Sequence, residues 1–154
     1  MPAAERFILL RHARAGRKLR DPDRDFKRHL DGKGEQVALA LPEVITSQMD
    51  PDMILSSPFR RCVETVEPLG EALGLRVLED ESFTPGRSRR AVRKAFGRIA
   101  PKSVVCTHGE VIAALFDDSR TCAKGAFWVV ERRGNTYVAS QYVQAPKSTR
   151  KSVR

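Results

Sequence analysis

Hydrophobic residues occur in short runs along the chain, and several of these runs predict strands. Residues 7–10, 53–56 and 103–107 form compact apolar stretches between polar or charged neighbours. Runs of this length are typical of strands that are buried on both faces of a sheet. Residues 76–78 predict a weaker strand. The first three runs are therefore expected to form the centre of a sheet.

Between the strands, apolar residues recur every three or four positions, which predicts helices. The first helix covers residues 37–45, where Pro42 predicts a kink or a split because proline lacks the N–H of the helical ladder. The second helix is expected to have Ser57 as its N-cap and Pro58 as its first residue, and to end at Gly74.

Two more helices are predicted in the second half of the chain. Ser88 is the expected N-cap of a helix whose apolar face extends to Ile99, and residues 111–116 predict the other helix. Residues 17–33, in contrast, are rich in Asp, Arg and Gly and show no periodicity. We expect this segment to be a loop.

The order of these elements predicts the fold class. Residues 126–131 and 136–143 predict two strands that are joined as a hairpin around Gly134 and Asn135. Strands that alternate with helices indicate an α/β protein, here a three-layer α/β/α sandwich with a mostly parallel central sheet and an antiparallel edge. Residues 1–145 are expected to form one domain, followed by a basic, disordered tail at 146–154.

Composition narrows the class of protein further. The 154 residues are 41% hydrophobic, which is enough for a normal core, and the formal net charge is +9. No apolar run reaches the ~18–20 residues of a membrane span, and no signal peptide is visible, so we expect a cytoplasmic protein. Cys62, Cys106 and Cys122 match no metal or redox motif and are expected to be free thiols.

Reactive side chains follow three of the predicted strands. Arg11 and His12 come after the first strand, Ser57 and Arg61 after the second, and His108 after the strand at 103–107. In open α/β sheets, ligands bind outside the carboxyl ends of the strands. If the strands are parallel, two histidines and two arginines therefore meet at one edge of the sheet.

This combination of side chains suits phosphoryl transfer. A neutral imidazole is a competent nucleophile near neutral pH. Arginine stays charged and can bind two phosphate oxygens at once, and donors around the transferred group stabilise its charge. The spacing of the chain alone does not decide whether Arg60 or Arg61 points inward.

The motifs resemble those of the histidine phosphatase superfamily, which has the phosphoglycerate-mutase-like fold. The family begins with a strand that ends in Arg-His-Gly, and this chain reads Leu9-Leu10-Arg11-His12-Ala13. A serine-containing strand end, an arginine and a threonine four residues later follow in the family, which here selects Arg61 before Thr65. The third signature is a strand that ends in His-Gly, here His108-Gly109. The short length and Ala13 resemble the short, SixA-type branch of phosphohistidine phosphatases.

The resemblance implies that His12 becomes phosphorylated while Arg11, Arg61 and His108 hold the phosphoryl group, with no metal or cofactor. The substrate would be a phosphohistidine protein, a nucleotide or a small phosphorylated metabolite. Substrate-binding candidates are Gly109, Arg17 and Lys18. Larger members of the family carry a glutamate proton donor after the third strand. Glu79, Asp80 and Glu81 lie in that region, with Glu81 as the possible donor, although in the short branch this donor is often missing.

Two other functions are compatible with the sequence. One is a binding module that kept the fold and the phosphate pocket but lost turnover. The other is nucleic-acid binding through the basic tail and the cationic cluster at residues 87–98. Only 6% of the residues are aromatic and no stacking platform is visible, so nucleic acid is the least expected partner. We expect a monomer with no membrane association.

Overall fold

The computed structural model describes residues 4–147, and in this part of the chain strands and helices alternate. The strands are β1 (Glu5–Arg11), β2 (Met53–Ser56), β3 (Val77–Glu79), β4 (Ser103–Thr107), β5 (Phe127–Arg133) and β6 (Thr136–Val143). The helices are α1 (Pro22–Phe26), α2 (Gly32–Gln48), α3 (Arg60–Leu73), α4 (Arg89–Phe96) and α5 (Gly109–Leu115), with a 3-10 turn at Glu81–Phe83.

The six strands form one sheet in the order β3-β2-β4-β1-β5-β6. The first four strands of that order are parallel, whereas β5 and β6 are antiparallel to their neighbours. This arrangement confirms the predicted mostly parallel sheet with an antiparallel edge. Because β1, β2 and β4 are parallel neighbours, the residues that follow them leave the sheet at the same edge.

Hydrophobic cores lie on both faces of the sheet, which gives the three-layer sandwich. Side chains alternate along β1, so Phe7 and Leu9 point to one core while Ile8 and Leu10 point to the other. The first core contains the apolar sides of α4 and α5, and the second contains those of α2 and α3. Strands β1 and β4 are covered on both faces, which explains their unbroken apolar sequences.

The segment 17–33 is not entirely a loop, so that prediction is wrong for part of it. Helix α1 forms there because Asp21 caps it by accepting the N–H of Asp23, and Pro22 occupies the first turn. Helix α2 starts earlier than predicted, at Gly32, where the side chain of Asp31 accepts the N–H of Gly34. Hydrophobic periodicity does not detect helix caps of this kind, so these two helix starts were not predicted from the sequence.

Two expectations about helix geometry are also corrected. Helix α2 runs without a break from residue 32 to 48, so Pro42 does not split it, and the alternative of a kink at Pro42 stays a prediction. Ser57 does not cap α3, which begins at Arg60 without a side-chain cap, because the Ser57 hydroxyl is bound to His108 instead. The predicted cap of α4 is confirmed, since the Ser88 hydroxyl accepts the N–H of Ala91 at 3.1 Å.

Three further predictions concern the state of the cysteines, the presence of membrane-spanning helices and the basic tail. All three cysteines are buried free thiols. No helix in residues 4–147 has the length and apolar character needed to cross a membrane. The predicted tail lies outside the described residues from position 148 onward, and the domain boundary, the cytoplasmic location and the monomeric state stay predictions.

Candidate active site

Three parallel strands bring the predicted residues to one cleft of about 580 Å³. Arg11 lies opposite Thr107 in the β1–β4 pairing, so the residues that follow them, His12 and His108, are neighbours. Their ring centroids are 5.4 Å apart, with the rings inclined by 66°. The cleft is lined by the predicted residues Arg11, His12, Arg17, Lys18, Arg61, His108 and Gly109.

His12 is held with one particular nitrogen free. Its Nδ1 lies 2.8 Å from the carbonyl oxygen of Ala13, and because a carbonyl only accepts, Nδ1 carries the proton. Burial is the main cause that lowers the pKa of His12 to about 4, and the charges of Arg61 and Arg11 lower it further against the opposing bond to Ala13. At neutral pH the ring is therefore neutral, with a lone pair on Nε2.

Thr65 connects this histidine to the helix that carries Arg61. Its hydroxyl accepts the N–H of Ala13 at 2.9 Å and donates to the carbonyl oxygen of Arg61 at 2.6 Å. The side chain is completely buried. The four-residue spacing between Arg61 and Thr65 thus has a physical basis, because one hydroxyl fixes the end of β1 against the first turn of α3.

Arg61 is buried, and its guanidinium is oriented by Asp25 from α1. One nitrogen donates to the carbonyl oxygen of Asp25 at 3.0 Å, and another lies 3.5 Å from its carboxylate. Arg28 also pairs with this carboxylate, at 3.0 Å. Burial alone would raise the pKa of Asp25, but the N–H of Leu19 and the charges of Arg61 and Arg28 outweigh it and lower that pKa. The sequence predicts Asp25 only as part of the polar loop at residues 17–33 and not as a partner of Arg61.

Arg11 is held beside His108 by a close approach at Gly109. Its Nη1 donates to the carbonyl oxygen of Cys122 at 2.8 Å. A Cβ atom added to Gly109 would lie 2.9 Å from the Cζ of Arg11. The glycine after the second histidine therefore leaves room for the guanidinium. The Nε atoms of Arg11 and Arg61 are buried and have no hydrogen-bond partner among the described residues.

The second histidine is also neutral. The Nε2 of His108 lies 2.9 Å from the hydroxyl of Ser57 and faces away from solvent. Burial is the largest of the effects that lower the pKa of His108 to about 2, followed by the charges of His12, Arg61 and Arg11. Such a ring can stabilise a phosphoryl oxygen as a neutral N–H donor.

The expected proton donor does not lie in the cleft. Glu81 is exposed in the 3-10 turn, and its main-chain oxygen accepts a hydrogen bond from Arg87. The two carboxylates that line the cleft are Asp31 and Glu110. Asp31 pairs with Arg14 at 2.7 Å in addition to capping α2. Sequence reasoning missed Glu110 as a cleft residue, although it stands two positions after His108.

Positive charge extends beyond the predicted residues. Arg14, Arg28 and Lys124 also line the cleft and were not predicted. No sequence signal distinguished them, because they come from three separate loops. The cationic cluster at residues 87–98 lies elsewhere: Arg89 and Arg93 pair with Asp117, and other members line a separate groove. In the described part of the chain, no set of three or more His, Cys, Asp or Glu side chains is arranged to hold a metal ion.

A sequence model of the histidine phosphatase superfamily (branch 1) matches residues 7–85, which is more than half of the chain. The chain belongs to this superfamily. The matched region includes the Arg11-His12 motif, Arg61 and the end of the 3-10 turn. The resemblance inferred from the motifs is therefore confirmed at the level of the family.

Known relatives agree with the family assignment. The chain is 27% identical over 155 residues to the 8-oxo-(d)GTP phosphatase of Mycolicibacterium smegmatis, covering 90% of this chain and 48% of that protein. It thus spans about half the length of this relative. Among solved structures, the histidine phosphatase SixA complexed with tungstate has a TM-score of 0.76 at 18% identity, with 91% and 97% of the two chains covered. A mycobacterial glucosyl-3-phosphoglycerate phosphatase gives 0.70 at 19% identity, covering 93% and 99%. These structures share the fold.

Proposed function

We propose that this protein is a phosphohydrolase that transfers a phosphoryl group from its substrate to Nε2 of His12 and then to water. The observation that carries the proposal is the fixed tautomer of His12. Its Nδ1–H donates to the carbonyl oxygen of Ala13. The free lone pair on Nε2 belongs to a buried, neutral ring inside a cationic cleft. A nucleophile is activated when its reactive form is the dominant one at the working pH.

The reaction consists of two displacements at phosphorus. In the first, the lone pair of Nε2 forms the P–N bond while the bond to the leaving oxygen breaks, and that oxygen takes up a proton. In the second, water forms a P–O bond and gives up a proton to the carboxylate that protonated the leaving oxygen. The P–N bond breaks, and inorganic phosphate leaves while His12 regains its neutral form. Arg11, Arg61 and His108 stabilise the negative charge on the transferred group in both displacements.

Glu110 is the residue that we propose as the proton donor to the leaving oxygen. It lies in the first turn of α5, two residues after His108. One of its carboxylate oxygens accepts the N–H of Gly86 at 3.1 Å, which holds the side chain at the mouth of the cleft. The other cleft carboxylate, Asp31, is already bonded to Arg14 and Gly34. General acid catalysis matters most when the leaving group is a poor one.

The charge of the cleft favours a substrate with more than one phosphate. Seven cationic side chains line the cleft against two carboxylates. Arg11 and Arg61 suffice to bind one phosphoryl group, which leaves Arg17, Lys18 and Lys124 for further phosphates. The relative from Mycolicibacterium smegmatis is an 8-oxo-(d)GTP phosphatase. We therefore propose a nucleoside diphosphate or triphosphate as the preferred class of substrate, ahead of a phosphohistidine protein or a sugar phosphate.

A substrate panel with two adjacent arginine variants tests this function. Release of phosphate from nucleoside diphosphates, nucleoside triphosphates, phosphohistidine and simple phosphate esters is measured for wild type, Arg61→Gln and Arg60→Gln. Arg60 is exposed and does not line the cleft, so it is a matched control. Loss of one donor to the transferred group is expected to lower kcat by about 10²–10³-fold in Arg61→Gln, with little change in Arg60→Gln.

The panel also separates the alternatives. Turnover that is highest with phosphohistidine rather than with nucleotides would overturn the proposed substrate class but not the reaction. Absence of turnover on every substrate, combined with saturable phosphate binding that depends on Arg61, would favour the binding module. Equal losses in Arg60→Gln and Arg61→Gln would contradict the proposed site.

A further inference from the structure

A buried hydroxyl stands directly behind the second histidine of the cleft. Ser57 follows β2 and is fully buried, with its Oγ 2.9 Å from Nε2 of His108. Its backbone N–H donates to the carbonyl oxygen of Cys106 at 2.9 Å, in the strand that leads to His108. The ring of Phe59 packs edge-on against the imidazole, with centroids 4.8 Å apart. The serine and the ring are thus fixed relative to each other by backbone and by packing.

Hydrogen-bond accounting shows which of the two atoms donates. The Ser57 oxygen already accepts the N–H of Phe59 at 3.3 Å. Its single proton has no acceptor among the described residues other than Nε2 of His108. If Nε2 carried a proton, the hydroxyl would accept two N–H groups and leave its own proton buried without a partner, which native structures avoid. The hydroxyl is therefore the donor and Nε2 the acceptor.

A second weak donor faces the same nitrogen. The Sγ of Cys62 lies 3.5 Å from Nε2 of His108 and is fully buried. A thiol is a weak hydrogen-bond donor, and the single lone pair of Nε2 is already used by the Ser57 hydroxyl. The Cys62 contact is therefore compatible with an unprotonated Nε2, and the assignment rests on Ser57. The cationic neighbours Arg11, Arg28 and Arg61 and the ring of His12 also oppose a charged imidazole.

We propose that Ser57 is a positioning residue that holds His108 as the neutral tautomer with its proton on Nδ1. That nitrogen has no partner among the described residues, and His108 lines the cleft. Its N–H is the donor that His108 presents to an oxygen of the transferred phosphoryl group. The assignment of the tautomer is independent of the proposed function, whereas its effect on the rate rests on that function.

Nuclear magnetic resonance tests the tautomer without any substrate. In protein labelled with [15N]histidine, two-bond nitrogen–proton couplings distinguish a ring that is protonated on Nδ1 from one that is protonated on Nε2. Wild-type His108 is expected to show the Nδ1-protonated form at neutral pH, and Ser57→Ala a mixture in which the Nε2-protonated form is populated. Ser57→Thr keeps the hydroxyl and is expected to restore the wild-type pattern.

The matched control is Ser103→Ala. Ser103 is also buried, but its hydroxyl donates to the carbonyl oxygen of Ala100, at the opposite end of β4. This control is expected to keep the Nδ1 tautomer. An Nε2-protonated His108 in the wild type would overturn the proposal even if no variant folds. An unchanged Nδ1 tautomer in folded Ser57→Ala would also overturn the role of Ser57.

Kinetics then measure the consequence for catalysis. We expect Ser57→Ala to lower kcat about tenfold, with KM changed less than threefold, because the lost alignment matters most in the transition state. Ser57→Thr is expected to recover most of that loss and Ser103→Ala to show none. A shifted tautomer with an unchanged kcat would contradict the contribution of Ser57 to the rate. Absence of turnover in every protein would contradict the proposed function but would not affect the spectroscopic assignment of the tautomer.

Discussion

Two buried neutral histidines should make this protein less stable in mildly acidic solution. The ordinary pKa of an unfolded histidine is ~6.5, whereas the folded values are about 4 for His12 and about 2 for His108. Between these values the unfolded chain binds a proton that the folded protein excludes. Stability from these groups is therefore fully present above pH 6.5 and is lost as the pH falls below it. At pH 5.0 this difference in proton binding lowers the unfolding free energy by about 2 kcal/mol for each histidine.

Chemical denaturation at pH 7.5 and pH 5.0 measures this effect. His12→Asn, His108→Asn and the double variant are compared with wild type, and each protein's own change in unfolding free energy between the two pH values is the quantity of interest. Each single variant is expected to lose about 2 kcal/mol less than wild type, and the double variant about 4 kcal/mol less. The same pH dependence in all four proteins would refute the assignment of buried, neutral rings.

Three substitutions test other contacts of the cleft. Gly109→Ala is expected to displace the guanidinium of Arg11 and weaken phosphate binding about tenfold in calorimetry, that is by ~1.4 kcal/mol, while the unfolding free energy stays near the wild-type value. Asp25→Asn removes the carboxylate beside Arg61, and we expect it to lower the unfolding free energy by about 3 kcal/mol in denaturant titrations; no loss would show that the ion pair is not formed. Glu110→Gln is expected to slow hydrolysis of an alkyl phosphate ester by about 10²-fold but to slow a nucleoside diphosphate much less, and equal effects on both substrates would contradict its role as the acid.

The main elements of the cleft could be predicted because they follow from strand order. Apolar runs identified β1, β2 and β4, and parallel strands necessarily bring their following residues to one edge. His12 and His108 are neighbours for that reason. Arg61 was selected by the resemblance to the family motif, in which an arginine stands four residues before a threonine. The structure gives this spacing a cause in the Thr65 hydroxyl, which connects the end of β1 to the first turn of α3.

The surroundings of these residues could not be predicted, because they depend on contacts that are distant in sequence. Asp25 belongs to a short polar helix without an apolar face, and only the folded chain shows that it is buried against Arg61. The partner of His108 is 51 positions away, and Ser57 had an equally plausible local role as a helix cap. Glu81 was chosen by its position in the chain, whereas the structure shows that it is exposed and does not line the cleft.

The most direct test of the account is to trap the phosphoryl group on His12. Wild-type protein is mixed with a 32P-labelled nucleoside diphosphate, carrying the label on its terminal phosphate, and quenched within milliseconds in alkali, where a phosphorus–nitrogen bond survives. The account predicts a labelled protein whose label is lost in acid, is located on His12 by peptide mapping, and is absent from His12→Asn. Phosphate release by the wild type without any such label, or an equal label in His12→Asn, would contradict a phosphorylated His12 intermediate.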